Sequence, residues 1–291
     1  MNRAGTAFVF AGGGSLGAIE VGMLRALTAA GVTADFVVGS SVGGINAASY
    51  ASDPTVEGVR RLEQIWRQVR RRDVFPVSAF GGVRRLLLGR DHLVSPAALR
   101  RLLARNLKME RLEECRIPCH IIATDLFDGS AEILSSGPAA EALLATTAIP
   151  GVFPPVCIGS RTLVDGAVAS GTPIASAVAL GAERVIVLSS GLPCAPTHPP
   201  AGVIQIGLHA LNLLIVNQLV ADLERLAGRS EVVVVPPLCP LPVSSYDFSH
   251  TGALIDRAAG STAEWLAQGG LHRHEIPDSL RPHHHATLGG V

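Results

Sequence analysis

The sequence is poor in charge. Of its 291 residues 16% are charged, and its 24 basic and 24 acidic side chains cancel to a net charge of zero. Domains that bind nucleic acid carry a basic surface, which this composition does not provide. We therefore expect no nucleic acid among the partners of the protein.

The sequence also lacks an uninterrupted apolar run long enough to cross a bilayer. Its longest apolar stretch, from Val203 to Leu223, is broken by six polar residues. This pattern predicts a helix of the domain and not a membrane span. Near the N-terminus, the apolar run that begins at Ala7 stops at Gly12, which predicts a first strand and not a signal peptide.

Cysteines are few, and their pattern is not that of a disulfide framework. There are five, an odd number, and they are scattered along the chain. This usage predicts free thiols in a reducing compartment, so we expect a cytoplasmic protein. The one loose ligand-like spacing, Cys115 and Cys119 beside His120, is more typical of buried thiols than of a metal site. We expect no metal and no cofactor.

Apolar runs of strand length alternate with segments of helix length. The strand-like runs are Thr6 to Ala11, Asp35 to Gly39, Pro118 to Thr124, Arg184 to Ser189 and Glu231 to Val235. The helix-like segments are Leu16 to Ala30, Gly44 to Ser52, Val56 to Arg70, Thr172 to Leu180 and Val203 to Ala227. This alternation predicts an α/β fold, a three-layer sandwich whose mainly parallel central sheet is covered on both faces.

The most informative local motif is G-x-S-x-G, formed by Gly39, Ser41 and Gly43 between an apolar run and a helix of small residues. At a sharp turn from strand to helix, only glycine fits two residues on either side of the serine. The serine hydroxyl is then left standing free above the sheet. The context therefore predicts Ser41 as a nucleophile.

Three glycines, Gly12, Gly13 and Gly14, follow the first strand and open a helix. Their backbone N–H groups and the helix N-terminus predict an anion-binding loop. The loop also matches the dinucleotide fingerprint G-x-G-x-x-G, which requires an acidic residue at the end of the second strand. Asp35 precedes that strand instead. The alternative is an oxyanion hole for acyl transfer, completed by the N–H of Val42.

A serine nucleophile needs a base. Four histidines within the domain are candidates, namely His92, His120, His209 and His250, but none follows a strand in a turn-rich segment, and each is more typical of a surface or capping residue. Asp165 ends a short strand and precedes glycine, so it is either part of a simple turn or a carboxylate delivered from a strand end.

Together these residues resemble the patatin-like phospholipase family. Four blocks match in order: Gly12-Gly13-Gly14-x-x-Gly17, Gly39-x-Ser41-x-Gly43, the stretch from Ala145 to Pro155, and Asp165-Gly166-Ala167. The resemblance implies a patatin-like acyl hydrolase domain over residues 1–268. The remaining segment, 269–291, ends in a histidine-rich sequence and is predicted to be a flexible tail.

The resemblance also implies roles for individual residues. Ser41 would be the nucleophile and Asp165 its base, with no catalytic histidine. Residues Gly12 to Gly14 and the N–H of Val42 would form the oxyanion hole. Many relatives carry Arg or Lys in the glycine loop where this chain has Leu16, so the resemblance implies a weaker preference for charged head groups.

The expected function is a serine acyl hydrolase that cleaves ester bonds of lipids or phospholipids through an acyl-enzyme. A short-chain carboxylesterase or acyltransferase is the nearest alternative, and a non-catalytic lipid- or nucleotide-binding protein is the alternative from another class. Residues 73–94 are either a cover over the site or an ordinary connection. The basic segment Val56 to Arg72, which contains Trp66, is either a transient membrane-surface contact or a solvated face with Trp66 packed inward.

Overall fold

Eight strands form one mixed, mostly parallel sheet in the computed structural model, which describes residues 5–76, 92–194, 199–228, 230–281 and 283. The strands are β1 (Gly5–Phe10), β2 (Phe36–Ser40), β3 (Cys119–Asp125), β4 (Ala131–Leu134), β5 (Val156–Ile158), β6 (Arg161–Asp165), β7 (Ala182–Leu188) and β8 (Glu231–Val235). Strands β3, β2, β1, β7 and β8 run parallel, whereas β4, β5 and β6 join by antiparallel pairing.

Helices cover both faces of the sheet, as the sequence predicts. They are α1 (Gly17–Ala29), α2 (Val42–Ser52), α3 (Val56–Gln68), α4 (Arg71–Val74), α5 (Ala97–Asn106), α6 (Ala139–Thr146), α7 (Ala167–Ser170), α8 (Ile174–Ala179), α9 (Val203–Leu226) and α10 (Thr251–Ala267). In β1, Phe8 and Phe10 face one apolar core while Ala7 and Val9 face another, because side chains alternate along a strand. The α/β three-layer architecture is confirmed.

Strand β3 pairs with two different strands along one of its edges. Its residue Ile121 pairs with both β2 and β4, and Ala123 pairs with both β4 and β6. Since a residue has one partner on each side, β2 and β6 must lie on the same side of β3. Ser40 is opposite Ile122, and Asp165 is opposite the next residue, Ala123. The carboxyl ends of β2 and β6 therefore meet end to end.

The elements expected from the sequence are present, with bounds that shift by up to two residues. The C-terminal segment contains local structure over its described residues. Gly270–His272 and Asp278–Leu280 form short 3₁₀ turns, and Leu280 is buried in the second core. The described part of this segment therefore contacts the domain at Leu280, and the flexible tail stays a prediction. Most of the predicted cover, 77–91 of 73–94, lies outside the described residues.

Candidate active site

Ser41 stands at a sharp turn between β2 and α2. It is the one residue other than glycine with a positive φ among those described, with φ 54° and ψ −129°. The turn is too tight for larger neighbours. A Cβ at Gly39 would lie 2.4 Å from the carbonyl oxygen of Gly43, and a Cβ at Gly43 would lie 2.4 Å from that of Ala11. This is the strand-to-helix geometry that the motif predicts.

The hydroxyl of Ser41 is hydrogen-bonded to a buried carboxylate. Its Oγ donates to Oδ2 of Asp165 at 2.8 Å, and the backbone N–H of Ala167 donates to Oδ1 at 2.8 Å. Asp165 is fully buried, and this burial raises its pKa from 3.8 to about 7 against the smaller effect of the two hydrogen bonds. The carboxyl group therefore titrates near neutral pH and can exchange a proton with the serine.

Thr146, at the end of α6, forms hydrogen bonds at the place where the carboxyl ends of β2 and β6 meet. Its hydroxyl accepts the N–H of Ser41 at 2.8 Å and donates to the carbonyl of Ile122 in β3. The backbone of the next segment also contributes, because the N–H of Asp165 donates to the carbonyl of Ala148. Sequence reasoning assigned no role to Thr146, although it lies within one of the four matching blocks.

The glycine loop lies directly beside Ser41. A Cβ at Gly12 would be 3.3 Å from the Cβ of Ser41. The N–H of Gly12 is already engaged, since it donates to the carbonyl of Gly171 at 2.8 Å. Within the described part of the chain, the N–H groups of Gly13, Gly14 and Val42 have no acceptor. These three donors are the ones available to a developing negative charge.

An apolar cavity of about 90 Å³ lies beside Ser41. Among the described residues that line it there is no charged side chain. Its aromatic and aliphatic walls include Ile45, Trp66, Phe75, Leu99, Leu103, Phe153 and Phe248. Trp66 is buried, and its indole N–H donates to Asn46 at 2.8 Å, so Trp66 packs inward as one of the two interpretations of the basic helix predicts.

The arginines of α3 are largely occupied by neighbouring carboxylates. Arg67 contacts Glu63 and Asp256, and Arg61 contacts Asp53. These ion pairs leave the face of α3 with much of its positive charge compensated. Within α3 itself, the structure therefore favours the solvated, charged face over a basic membrane contact.

None of the four candidate histidines lines the described part of this cavity. His120 bonds the hydroxyl of Ser135, and burial lowers its pKa. His250 is exposed, with its Nε2 atom 3.6 Å from a carboxylate oxygen of Asp247. His209 lies on α9 and shares a different depression with His250. Asp165 is the carboxylate that meets Ser41.

Asp35 and Leu16, which the sequence analysis singled out, both lie away from the cavity. Asp35 lies just before β2, where its carboxylate accepts the N–H of Thr6 at 2.7 Å. This is the edge of the sheet opposite Ser41, and it does not suit a ribose-binding acid. Leu16 is fully buried in the main core and does not line the cavity.

Fold and site define an α/β protein with a serine elbow, a buried carboxylate partner and a glycine loop. The family model for patatin-like phospholipase matches residues 8–178 of the chain. This chain belongs to the patatin-like phospholipase family, whose members are generally lipid acyl hydrolases. The predicted family is therefore confirmed.

Individual relatives agree with this assignment. A patatin-like phospholipase domain-containing protein of Caenorhabditis elegans is 30% identical over 63% of this chain and 16% of its own length. An NTE family protein of Mycobacterium bovis is 27% identical over 63% of this chain and 48% of its own length. The chain thus spans less than half of these relatives. The structure of VipD from Legionella pneumophila is similar with a TM-score of 0.49 and 12% identity, covering 91% of this chain and 67% of that one.

Proposed function

We propose that this protein is a serine acyl hydrolase that cleaves carboxylic esters of lipids through an acyl-enzyme on Ser41. The observation that carries the proposal is the 2.8 Å hydrogen bond between Ser41 and Asp165 at the mouth of an apolar cavity. A nucleophile, its base and a binding slot for an acyl chain are thereby next to one another.

The reaction follows from these groups. As Ser41 Oγ forms a bond to the ester carbonyl carbon, its proton passes to Asp165. The oxyanion of the tetrahedral intermediate is held by the N–H groups of Gly13, Gly14 and Val42. When the bond to the alcohol breaks, Asp165 returns the proton to the leaving oxygen. Water then attacks the acyl carbon and gives its proton to Asp165; the bond to Ser41 Oγ breaks, Asp165 returns the proton to that oxygen, and the carboxylic acid leaves.

The raised pKa of Asp165 makes this single carboxylate an effective base. A carboxylate of ordinary pKa is a poor acceptor for a serine proton, whereas one with a pKa of about 7 is matched to neutral pH. The remaining weakness of the base favours esters over amides. The apolar cavity of about 90 Å³ suits an acyl chain, and its small volume keeps a short-chain carboxylesterase or acyltransferase as the nearest alternative.

We propose further that α9 rests transiently on a lipid surface. It is long and apolar enough to cross a membrane by length and composition alone, and 28% of its most apolar window is buried. From Val203 to Ala221 it has no charged residue, and its exposed face carries Ile206 and Leu214. Its opposite face reaches the glycine loop, because a Cβ at Gly12 would lie 3.1 Å from Ile215. A lipid bound there lies next to the active site.

The proposal is tested with p-nitrophenyl esters of increasing chain length and a fluorophosphonate probe. Wild type is expected to turn over the esters and to be labelled at Ser41, which peptide mass spectrometry locates. Ser41→Ala and Asp165→Asn should lose turnover by orders of magnitude, while His250→Ala, altered at an exposed histidine, should keep it. Turnover that survives Ser41→Ala, or that disappears in His250→Ala, would contradict the assignment of Ser41 and Asp165 as the catalytic pair. Lipid or nucleotide binding without labelling would favour a non-catalytic protein.

A further inference from the structure

Two cysteines and a histidine from three separate segments converge on the side of the sheet formed by β7 and β8. Cys194 follows β7, Cys239 follows β8, and His283 belongs to the C-terminal segment. Their ligand atoms all lie within 4.8 Å of one another. The Sγ atoms of the two cysteines are 3.8 Å apart, and Nε2 of His283 is 3.2 Å from Sγ of Cys239.

The separation of the two sulfurs matches one edge of a zinc coordination tetrahedron. Zinc binds thiolate sulfur at about 2.3 Å, and two such bonds at the tetrahedral angle put the sulfurs about 3.8 Å apart. A disulfide would bring them to about 2.05 Å. The sulfur separation of 3.8 Å in this chain is therefore too long for a disulfide and fits two sulfurs that bind one cation.

The surroundings of the three groups are those of metal ligands. Nδ1 of His283 is 2.7 Å from the carbonyl oxygen of Arg281, so it carries the ring proton and the lone pair of Nε2 is directed at the cysteines. Metal-binding histidines are commonly oriented by such a bond to a backbone carbonyl. The N–H of Leu241 donates to Sγ of Cys194 at 3.3 Å, which stabilises negative charge on that sulfur.

We propose that Cys194, Cys239 and His283 bind one zinc ion. Three protein ligands leave the fourth position of the tetrahedron to water or to another donor. The ion would join the C-terminal segment to the loops that follow β7 and β8. The first of these loops also contains Ser190, whose hydroxyl donates to the carbonyl of Gly12. Zinc would thus strengthen the scaffold behind the glycine loop without taking part in ester cleavage.

The experiment measures zinc by plasma mass spectrometry in the full chain, purified without chelator from zinc-supplemented medium. Wild type is expected to hold close to one zinc per chain, whereas Cys239→Ser and His283→Ala should hold at least ten-fold less. Cys157→Ser is the matched control, because Cys157 is an exposed cysteine on β5 outside the cluster. It should retain the zinc of wild type.

Cobalt titration and thermal unfolding provide readouts that do not depend on the proposed activity. Cobalt should give thiolate charge-transfer and tetrahedral ligand-field bands in wild type and in Cys157→Ser, and these should be absent from Cys239→Ser. A strong chelator should lower the melting temperature of the first two proteins alone. A wild type free of zinc and without cobalt bands would overturn the proposal, as would an unchanged zinc content in both ligand variants or a Cys194–Cys239 disulfide.

Discussion

Ser40 and Asp165 pair with adjacent residues of β3, Ile122 and Ala123, although 125 positions of sequence separate them. This pairing brings Asp165 beside the serine that follows Ser40. The position of the carboxylate is therefore set by the backbone register of the sheet. It does not depend on the conformation of a long side chain or of a loop.

The first prediction concerns pH. The pKa of Asp165 is raised to about 7 by burial, and the base must be ionised to accept the proton of Ser41. We expect kcat/KM for a p-nitrophenyl ester to rise with pH through about 7 and then level off. His250→Ala should show the same profile. A profile that is flat across neutral pH would contradict the assignment of Asp165 as base.

The raised pKa of Asp165 also predicts that the free energy of unfolding falls as pH rises, whereas kcat/KM rises. Because the folded pKa of Asp165 lies above its ordinary value of 3.8, its contribution to the free energy of unfolding is fully present below 3.8. This contribution is lost as pH rises through about 7. Asp165→Asn cannot ionise, so its stability should fall less than that of wild type over this interval. Urea unfolding at a series of pH values measures the difference.

The second prediction concerns the length of the acyl chain. Ile45 and Ser49 line the cavity one and two turns further along α2 than Ser41. Ile45→Trp should move the optimum of the p-nitrophenyl ester series to the shortest chains, with at least a ten-fold loss on longer ones. Ser49→Trp should shorten the optimum less.

Ser52→Trp is the control for this series, because Ser52 lies on the same helix but outside the cavity. It should leave the optimum unchanged. If all three variants gave the same preference as wild type, the acyl chain would not occupy this cavity.

The third prediction tests the oxyanion donors through Gly13. A Cβ at this position would lie 2.1 Å from Oγ and 2.6 Å from Cβ of Ser190. Gly13→Ala should displace the loop and lower kcat by about 10²–10³, the usual effect of losing one oxyanion donor. The double variant Gly13→Ala with Ser190→Gly removes the obstructing atoms and should recover part of that loss. Equal activity of the single and double variants would argue against steric displacement of the loop.

The fourth prediction concerns the lipid surface. Ile206→Asp and Leu214→Asp place charge on the exposed face of α9, where wild type is apolar. Each should weaken sedimentation with phosphatidylcholine vesicles several-fold and lower turnover of vesicle-borne esters. Turnover of a water-soluble ester should stay unchanged, because neither residue lines the cavity. Glu224→Gln, on the same helix beyond the uncharged stretch, is the control. Unaltered vesicle binding in both Asp variants would reject this surface.

The serine elbow and the central parallel strands could be predicted because their signals are local. Gly39, Ser41 and Gly43 are close in sequence, and the apolar runs that flank them have the length of buried strands. Asp165 could be singled out only through the family resemblance, because an Asp-Gly pair is common in ordinary turns. What the sequence could not supply is the end-to-end meeting of β2 and β6, because antiparallel pairing over long separations leaves no periodic signal.

Helix α10 was missed for a related physical reason. It packs closely on α1 at Gly22, where a Cβ would lie 2.4 Å from the carbonyl oxygen of Ile255. Its sequence contains two glycines, Gly252 and Gly260, which lower intrinsic helix propensity. Tertiary packing of α10 on α1 stabilises it instead. The contacts of the C-terminal segment with the domain could not be predicted because the apolar residues that make them, Leu271, Ile276 and Leu280, are widely spaced among polar ones.

The positive φ of Ser41 lowers the stability of the fold, whereas the proposed reaction needs the side chain of this residue. A positive φ at a residue other than glycine costs about 1–3 kcal/mol, and glycine would adopt this conformation without that cost. In a library of variants selected for resistance to heat, Ser41→Gly should be enriched. In the same library selected for ester cleavage, it should be lost. The two selections should therefore diverge at this position, and such a divergence locates a reacting residue without any substrate in the structure.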